Sequence, residues 1–215
     1  MTRMAAFDLP PGCLQRAEQL LASGQRKILG IVAPPGAGKS TLAEALAHTL
    51  QGRAQVVPMD GFHLSNAALQ ELGRADRKGA PDTFDADGYA HLLRRLRAQN
   101  TDANAGQTIY APLYLRTLEE GIAGSLAIQA STQLIITEGN YLLLDEGGWA
   151  AVRNLLDEVW YLDIDDALRE SRLLKRHMQF GKTSEQALAW IAQTDAPNAR
   201  RIALTRSRAD CIFSV

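Results

Sequence analysis

Two short stretches hold most of the chemistry that this sequence can do. APPGAGKST (33–41) sets two glycines beside Lys-Ser-Thr. VVPMDGFHL (56–64) closes a β-branched apolar run on a lone carboxylate, Asp60. The first stretch fits G-x-x-x-x-G-K-[ST] except at its first position, where Ala33 stands, and a Cβ is tolerable there at negative φ. Gly36 and Gly38 let the backbone curl so that N–H groups face inward, toward phosphate oxygens. A following helix would add the partial positive charge of its N-terminus. Lys39 can reach β- and γ-phosphates, and the Ser40 hydroxyl can ligate Mg²⁺. Pro35, Gly36, Ala37, Gly38, Lys39, Ser40 and Thr41 are therefore the expected binding residues for ATP or GTP with Mg²⁺. A glycine turn that happens to precede Lys-Ser is the plainer alternative.

Asp60-Gly61 would also serve as a turn with no further role. Chain length argues for more. A helix of about a dozen residues after Lys39 climbs ~18 Å, and a strand over 54–59 returns ~20 Å. Asp60 then lands on the rim that carries the phosphate loop, beyond the strands' carboxyl ends, where open parallel sheets bind ligands. A carboxylate beside a terminal phosphate is costly unless it meets Mg²⁺ or the proton of an attacking alcohol, and both fit phosphoryl transfer.

The elements that must position these groups alternate. Apolar runs at 27–35, 54–60, 133–144, 158–164 and 210–215 read as strands. Helical spacing marks 12–26, 40–50, 85–99 (Asp85 or Asp87 near its N-cap), 165–181 (Asp165 as N-cap), 184–194 and 197–208. Such alternation predicts an α/β fold with a parallel sheet of about five strands, helices on both faces, and right-handed crossovers. Residues 100–131 break the pattern and suggest short strands and turns, such as a hairpin beside the main sheet.

With 215 residues, 46% hydrophobic and 22% charged, the chain fits one domain with a real core. A net charge of −1 gives no global basic field for a nucleic acid or an anionic membrane, so an anion must be held locally. Cys13 and Cys211 form neither a CxxC nor a disulfide framework. The N-terminus lacks an apolar leader, and no apolar run reaches the ~20 residues of a membrane span. The expectation is a cytoplasmic protein acting on a small molecule, without nucleic acid or membrane, with a homodimer left open.

VPMDGFHLSN, RKGAPDTFD (77–85), TEGNYLLL (137–144) and NARRIALTRSRAD (198–210) resemble the phosphoribulokinase, uridine kinase and pantothenate kinase family of P-loop kinases, over roughly residues 27–215. Within it they resemble bacterial fructose transport system kinases. The resemblance implies a P-loop NTPase fold and ATP-dependent phosphorylation of a small molecule's hydroxyl group, with Asp60 as base. It implies that Glu138, which ends the apolar run LIIT, helps hold Mg²⁺ through water; a strand-end acid capping a turn is the alternative. It also implies a lid at 168–182 whose arginines close over phosphates. Arg169, Arg172 and Arg176 recur along that helix, with Arg172 and Arg176 the favoured pair, although such a stripe is also an ordinary solvated face. His177 reads as structural. Uridine kinases carry an Asp where Gly79 stands here, which points away from a nucleoside acceptor and toward the pantothenate kinase pattern.

His63, Phe84, Tyr114 and Arg116 are candidates to line the acceptor pocket, and each is as readily packing or surface. Trp149, Trp160 and Trp190 read as core. A GTPase switch would show Asn-Lys-x-Asp, which is absent. A nucleoside monophosphate kinase would need acceptor-side arginines, and 61–90 offers Arg74 and Arg77.

Overall fold

The computed structural model describes residues 8–99 and 106–215. Part of the N-terminal stretch read as leaderless (1–7) and the start of the 100–131 segment (100–105) lie outside the described residues. Five strands form a parallel sheet: β1 (Lys27–Val32), β2 (Ala54–Val56), β5 (Leu134–Gly139), β6 (Glu158–Asp163) and β7 (Cys211–Ser214), in the order β2-β5-β1-β6-β7. The two central strands are buried almost throughout, as expected of strands covered on both faces.

Strand alternation sorts the core into two layers. Ile28, Val32, Ile135 and Val159 pack with Tyr89, Leu93 and Leu96 of helix α4 (Ala86–Ala98). Leu29, Ile31, Ile136 and Trp160 pack with Cys13 and Ala17 of α1 (Cys13–Leu21) and Leu42 and Leu46 of α2 (Lys39–Thr49). Truncating Leu29 or Ile136 to Ala would cost about 2–5 kcal/mol. Cys13 and Cys211 are free thiols, and burial pushes the Cys13 thiol up to about 12.

Three local departures from the expected elements shape the site. The strand expected over 54–60 ends at Val56. Val57 N–H still reaches the Ile136 carbonyl at 2.8 Å, but Pro58 has no N–H to continue the ladder, and Met59–Phe62 turns as a 3₁₀ segment. The stretch 61–84, for which no element was expected, carries a short helix α3 (Asn66–Glu71), capped by Ser65 Oγ, which accepts from Ala68 N–H. Helix α6 (Ser184–Trp190) does not stop at 194. It widens into a π turn, Ile191–Asp195, that runs into α7 (Ala196–Ala203). Pro197 sits in the first turn of α7, and its ring crowds the carbonyl four residues back, so the chain opens there.

The 100–131 segment supplies the expected hairpin. Strands β3 (Ile109–Leu115) and β4 (Glu120–Ile128) pair antiparallel as a separate two-stranded sheet. Two glycines let it dock against the Asp60 turn. A Cβ at Gly61 would sit 2.4 Å from the Pro112 carbonyl oxygen, and one at Gly121 would sit 2.4 Å from the Gly61 carbonyl oxygen.

Candidate active site

The stretch 33–41 joins the end of β1 to α2. Gly36 (φ 85°) and Gly38 (φ 94°) take left-handed backbone conformations, which glycine adopts without steric cost. Gly36 has a second reason to lack a Cβ: it would lie 2.8 Å from Leu173 Cγ and 2.9 Å from the Arg169 carbonyl oxygen. The loop is thus packed under helix α5 (Asp166–Gln179), whose N-cap Asp165 accepts from Leu168 N–H.

Lys39 is 9% exposed, and its ammonium donates to the carbonyls of Ala33 (3.0 Å) and Pro34 (3.3 Å). Burial lowers its pKa, while Glu138 and Asp60 pull it back up. Ser40 Oγ–H donates to Glu138 Oε1 at 2.8 Å. Glu138 is 4% exposed and is the next-to-last residue of β5. Burial, then the Asp60 charge, raises its pKa, and Lys39 and the Ser40 hydrogen bond oppose the rise. Among the described residues, no three His, Cys, Asp or Glu side chains gather as a metal cage. A hydroxyl and one carboxylate at the foot of a phosphate loop are instead the hard-oxygen set that suits Mg²⁺, which takes one or two protein ligands and completes its shell with phosphates and water. Thr41 sits exposed on the first turn of α2.

Lys39, Ser40, Asp60 and Glu138 share one cleft of about 320 Å³. The Asp60 side chain is 33% exposed, and its Oδ2 lies 3.9 Å from Arg116 of the hairpin. That separation is an ion pair without a direct hydrogen bond. His63 holds the turn from the other side. Its Nδ1 is 2.8 Å from the Asp60 carbonyl oxygen, which can only accept, so Nδ1 carries the proton and Nε2 is left as an acceptor. Burial lowers the His63 pKa and favours this neutral ring.

The other expected acceptor residues meet here. The His63 ring packs at a 42° tilt against Phe84 (centroids 3.9 Å apart) and Tyr114 (4.7 Å). Phe84 is also part of a buried aromatic cluster with Tyr141 and Trp149, so it packs and lines the cleft at once. Backbone bonds from Leu64 N–H to the Thr83 carbonyl and from Asp85 N–H to the Phe62 carbonyl stitch the Asp60 turn to this wall.

The arginine stripe of α5 separates into three environments. Arg169 is buried against the phosphate loop and pairs with Asp166 at 2.9 Å. Arg172 is exposed, with Nη1 3.8 Å from the place a Cβ on Gly38 would take; it overhangs the loop and does not line the cleft. Arg176 lines the cleft, and burial lowers its pKa, helped by Arg116 and opposed by Asp195, Asp60 and Glu138. His177, expected to be structural, also faces the cleft, and its Nε2 donates to Asp195 Oδ2 at 2.8 Å.

Trp149 and Trp160 are core, as expected, but Trp190 is not. It is half-buried in the cleft wall with the Lys182 ammonium 4.7 Å from its ring centroid. It sits where α6 opens into the π turn, so its helical spacing no longer places it inward. Sequence reasoning assigned no role to Asn66, Lys78, Asn140, Asp195 or Asn198, and all five line the cleft. Asn66, Lys78, Asn140 and Asn198 lay within the stretches VPMDGFHLSN, RKGAPDTFD, TEGNYLLL and NARRIALTRSRAD, which was the one visible signal. Asp195 is a single polar residue outside them, brought in by long-range packing.

Proteins of known sequence and structure are similar to this chain. A curated fission yeast protein, "Putative uridine kinase C227.14" of Schizosaccharomyces pombe, is 33% identical over 197 residues, covering 85% of this chain and 80% of that protein. YggC of Escherichia coli K12, described as uncharacterized, is 32% identical over 93% of this chain and 82% of its own length. A crystal structure of a "putative fructose transport system kinase" from Silicibacter sp. TM1040 superposes with a TM-score of 0.82 at 34% identity, covering 93% of this chain and 98% of that one. The fold is shared more distantly by YFH7 of Saccharomyces cerevisiae (TM-score 0.80, 22% identity). The family described as Phosphoribulokinase / Uridine kinase matches residues 28–215, from the first residues of β1 to the end of the chain, and the chain belongs to that family of P-loop kinases.

Proposed function

We propose that the protein transfers the γ-phosphoryl group of ATP to a hydroxyl group of a small polar metabolite, with Asp60 as the base. The observation that carries this is the placing of the Asp60 carboxylate in one cleft with Lys39, Ser40 and Glu138. Kinases of this family use ATP with Mg²⁺. The backbone of 35–41, with Lys39, would hold the triphosphate, and Ser40 with Glu138 would hold Mg²⁺, Glu138 through water. Bound there, Mg²⁺ supplies charge neutralisation on the β- and γ-phosphates.

The acceptor oxygen forms a bond to the γ-phosphorus, the bond from that phosphorus to the β–γ bridging oxygen breaks, and ADP leaves. The hydroxyl proton passes to the Asp60 carboxylate. Arg176 faces the same space and would offset charge spread over the transferred group, with Arg172 above the loop as a second cation. His63, Phe84, Tyr114 and Arg116 would shape the acceptor end. The name given to the Silicibacter protein favours a sugar, and the Gly79 pattern favours a pantothenate-like alcohol over a nucleoside. A nucleoside monophosphate accepting on its own phosphate is disfavoured, because Arg74 and Arg77 both pair with Asp82, and neither lines the cleft.

Asp60→Asn tests the assignment. Nucleotide affinity should stay within a few-fold while turnover falls ~10²–10⁴-fold, the usual contribution of a general base. Acceptor-dependent ADP release measures it, and equal turnover in the two proteins would refute the base.

A further inference from the structure

Beyond Asp60 the cleft runs toward a positive patch that phosphoryl transfer does not require. Lys78 lies in the connection between α3 and α4. Its ammonium donates to Asn66 Oδ1 and to the Glu119 carbonyl oxygen, and it sits 5.6 Å from the Tyr114 ring centroid. Both acceptors are neutral groups. Among the described residues no carboxylate oxygen comes within 4.0 Å of Lys78 Nζ. The two nearest acids, Glu119 and Glu120, act on it at longer range, and Glu120 Oε1 is already engaged by the Asn66 backbone N–H at 2.9 Å.

An ammonium has three donors, so one remains for a ligand. Arg116, on the tip of the same hairpin, meets Asp60 at 3.9 Å, too far for a hydrogen bond, and its donors are equally free to turn to a ligand. His63, Phe84 and Tyr114, their rings tilted by 42° in each pair with His63, line the same cleft. The result is a polar cleft lined by a carboxylate, two under-partnered cations and three aromatic rings.

Resting on the kinase reading above, we infer that the acceptor carries an anionic group, a carboxylate or a phosphate ester, which Lys78 and Arg116 bind while its hydroxyl faces Asp60. The physical reason is the cost of a half-buried cation without a counter-charge. An anionic acceptor supplies that charge. A neutral sugar or polyol leaves Lys78 without a counter-charge and Arg116 with only the Asp60 carboxylate at 3.9 Å, and a site built to bind a group rejects the analogue that lacks it. Lys78 then sets specificity: it would be a binding residue for the far end of the acceptor, distant from the reacting oxygen.

Matched pairs test this, each differing by the charge: D-glycerate and glycerol, D-gluconate and glucitol, fructose 6-phosphate and fructose, pantothenate and pantothenol. Turnover with ATP and Mg²⁺ is read by mass spectrometry of the products. Binding is read separately, by calorimetry on protein loaded with Mg²⁺ and a non-hydrolysable ATP analogue. At least one charged member should exceed its neutral partner in affinity or in kcat/KM by about 100-fold. Lys78→Met should remove most of that preference while changing the neutral partner little, and Lys78→Arg should restore part of it.

Neutral members that bind and react as well as their charged partners in every pair overturn the inference and leave the kinase standing. So does an equal loss on both members of a pair in Lys78→Met, the result expected if Lys78 merely ties Asn66 to the hairpin. So does the failure of every acid and phosphate ester to bind. Charge-dependent binding without any product supports the inference and counts against the transfer reaction instead.

Discussion

The two ends of the cleft are built by opposite means. The phosphate end is one unbroken stretch of nine residues, 33–41, held by two left-handed glycines and clamped by Arg169 and Leu173 of the helix above it. The proposed acceptor end is gathered from the Asp60 turn, the Lys78 connection, the hairpin tip and the π turn, which are separate in sequence. A triphosphate is the same in every reaction, so backbone N–H groups and one lysine suffice to grip it. An acceptor has its own shape and charge, and side chains must converge from several directions to read it.

Lys39→Ala should break the phosphate end alone. Removing a buried cation from its anion costs about 2–5 kcal/mol, roughly 30- to 5,000-fold in nucleotide affinity. Titration with ATP measures the loss, and an acceptor that still binds would show that the ends are separable. Arg176→Ala probes the seam between them. Turnover should fall by about 10²–10³-fold, the scale for one donor to transition-state charge, with substrate affinities little changed. A rise in KM at constant kcat would place Arg176 in ground-state binding instead.

His63→Asn sharpens the acceptor side with the smallest effect. Burial depresses the His63 pKa, so the native state prefers the neutral ring. The stability this brings is complete above the unfolded value of about 6.5 and declines as pH falls through and below it. The Asn amide can still donate to the Asp60 carbonyl but does not titrate. Thermal melts at pH 7 and pH 5 should show a larger loss for the natural protein than for the variant. Equal losses would mean that His63 is no better solvated in the unfolded chain.

This contrast also explains what could be read from sequence. The 33–41 motif, the buried strands and the Asp60 rim follow from local pattern and chain length, and the hairpin showed as a break in the alternation. Lys78, Asn66 and Asp195 did not show, because nothing about an isolated polar residue says which distant surface it will face. Trp190 was misplaced for a related reason: helical spacing predicts its direction only while the helix stays regular, and Pro197 ends that regularity. Lys78 stood in a stretch already singled out for its likeness to kinases, yet the role proposed for it depends on a hairpin some forty residues downstream.

The bare backbone contact between Gly61 and Gly121 has a consequence for how such enzymes change their diets. The arm proposed to recognise the metabolite leans directly on the shoulder that bears Asp60. Its tip can be rewritten, residue by residue, without relocating the reactive group. An arm grafted from a relative would hang at the same angle only if glycine came with it at the point of touch.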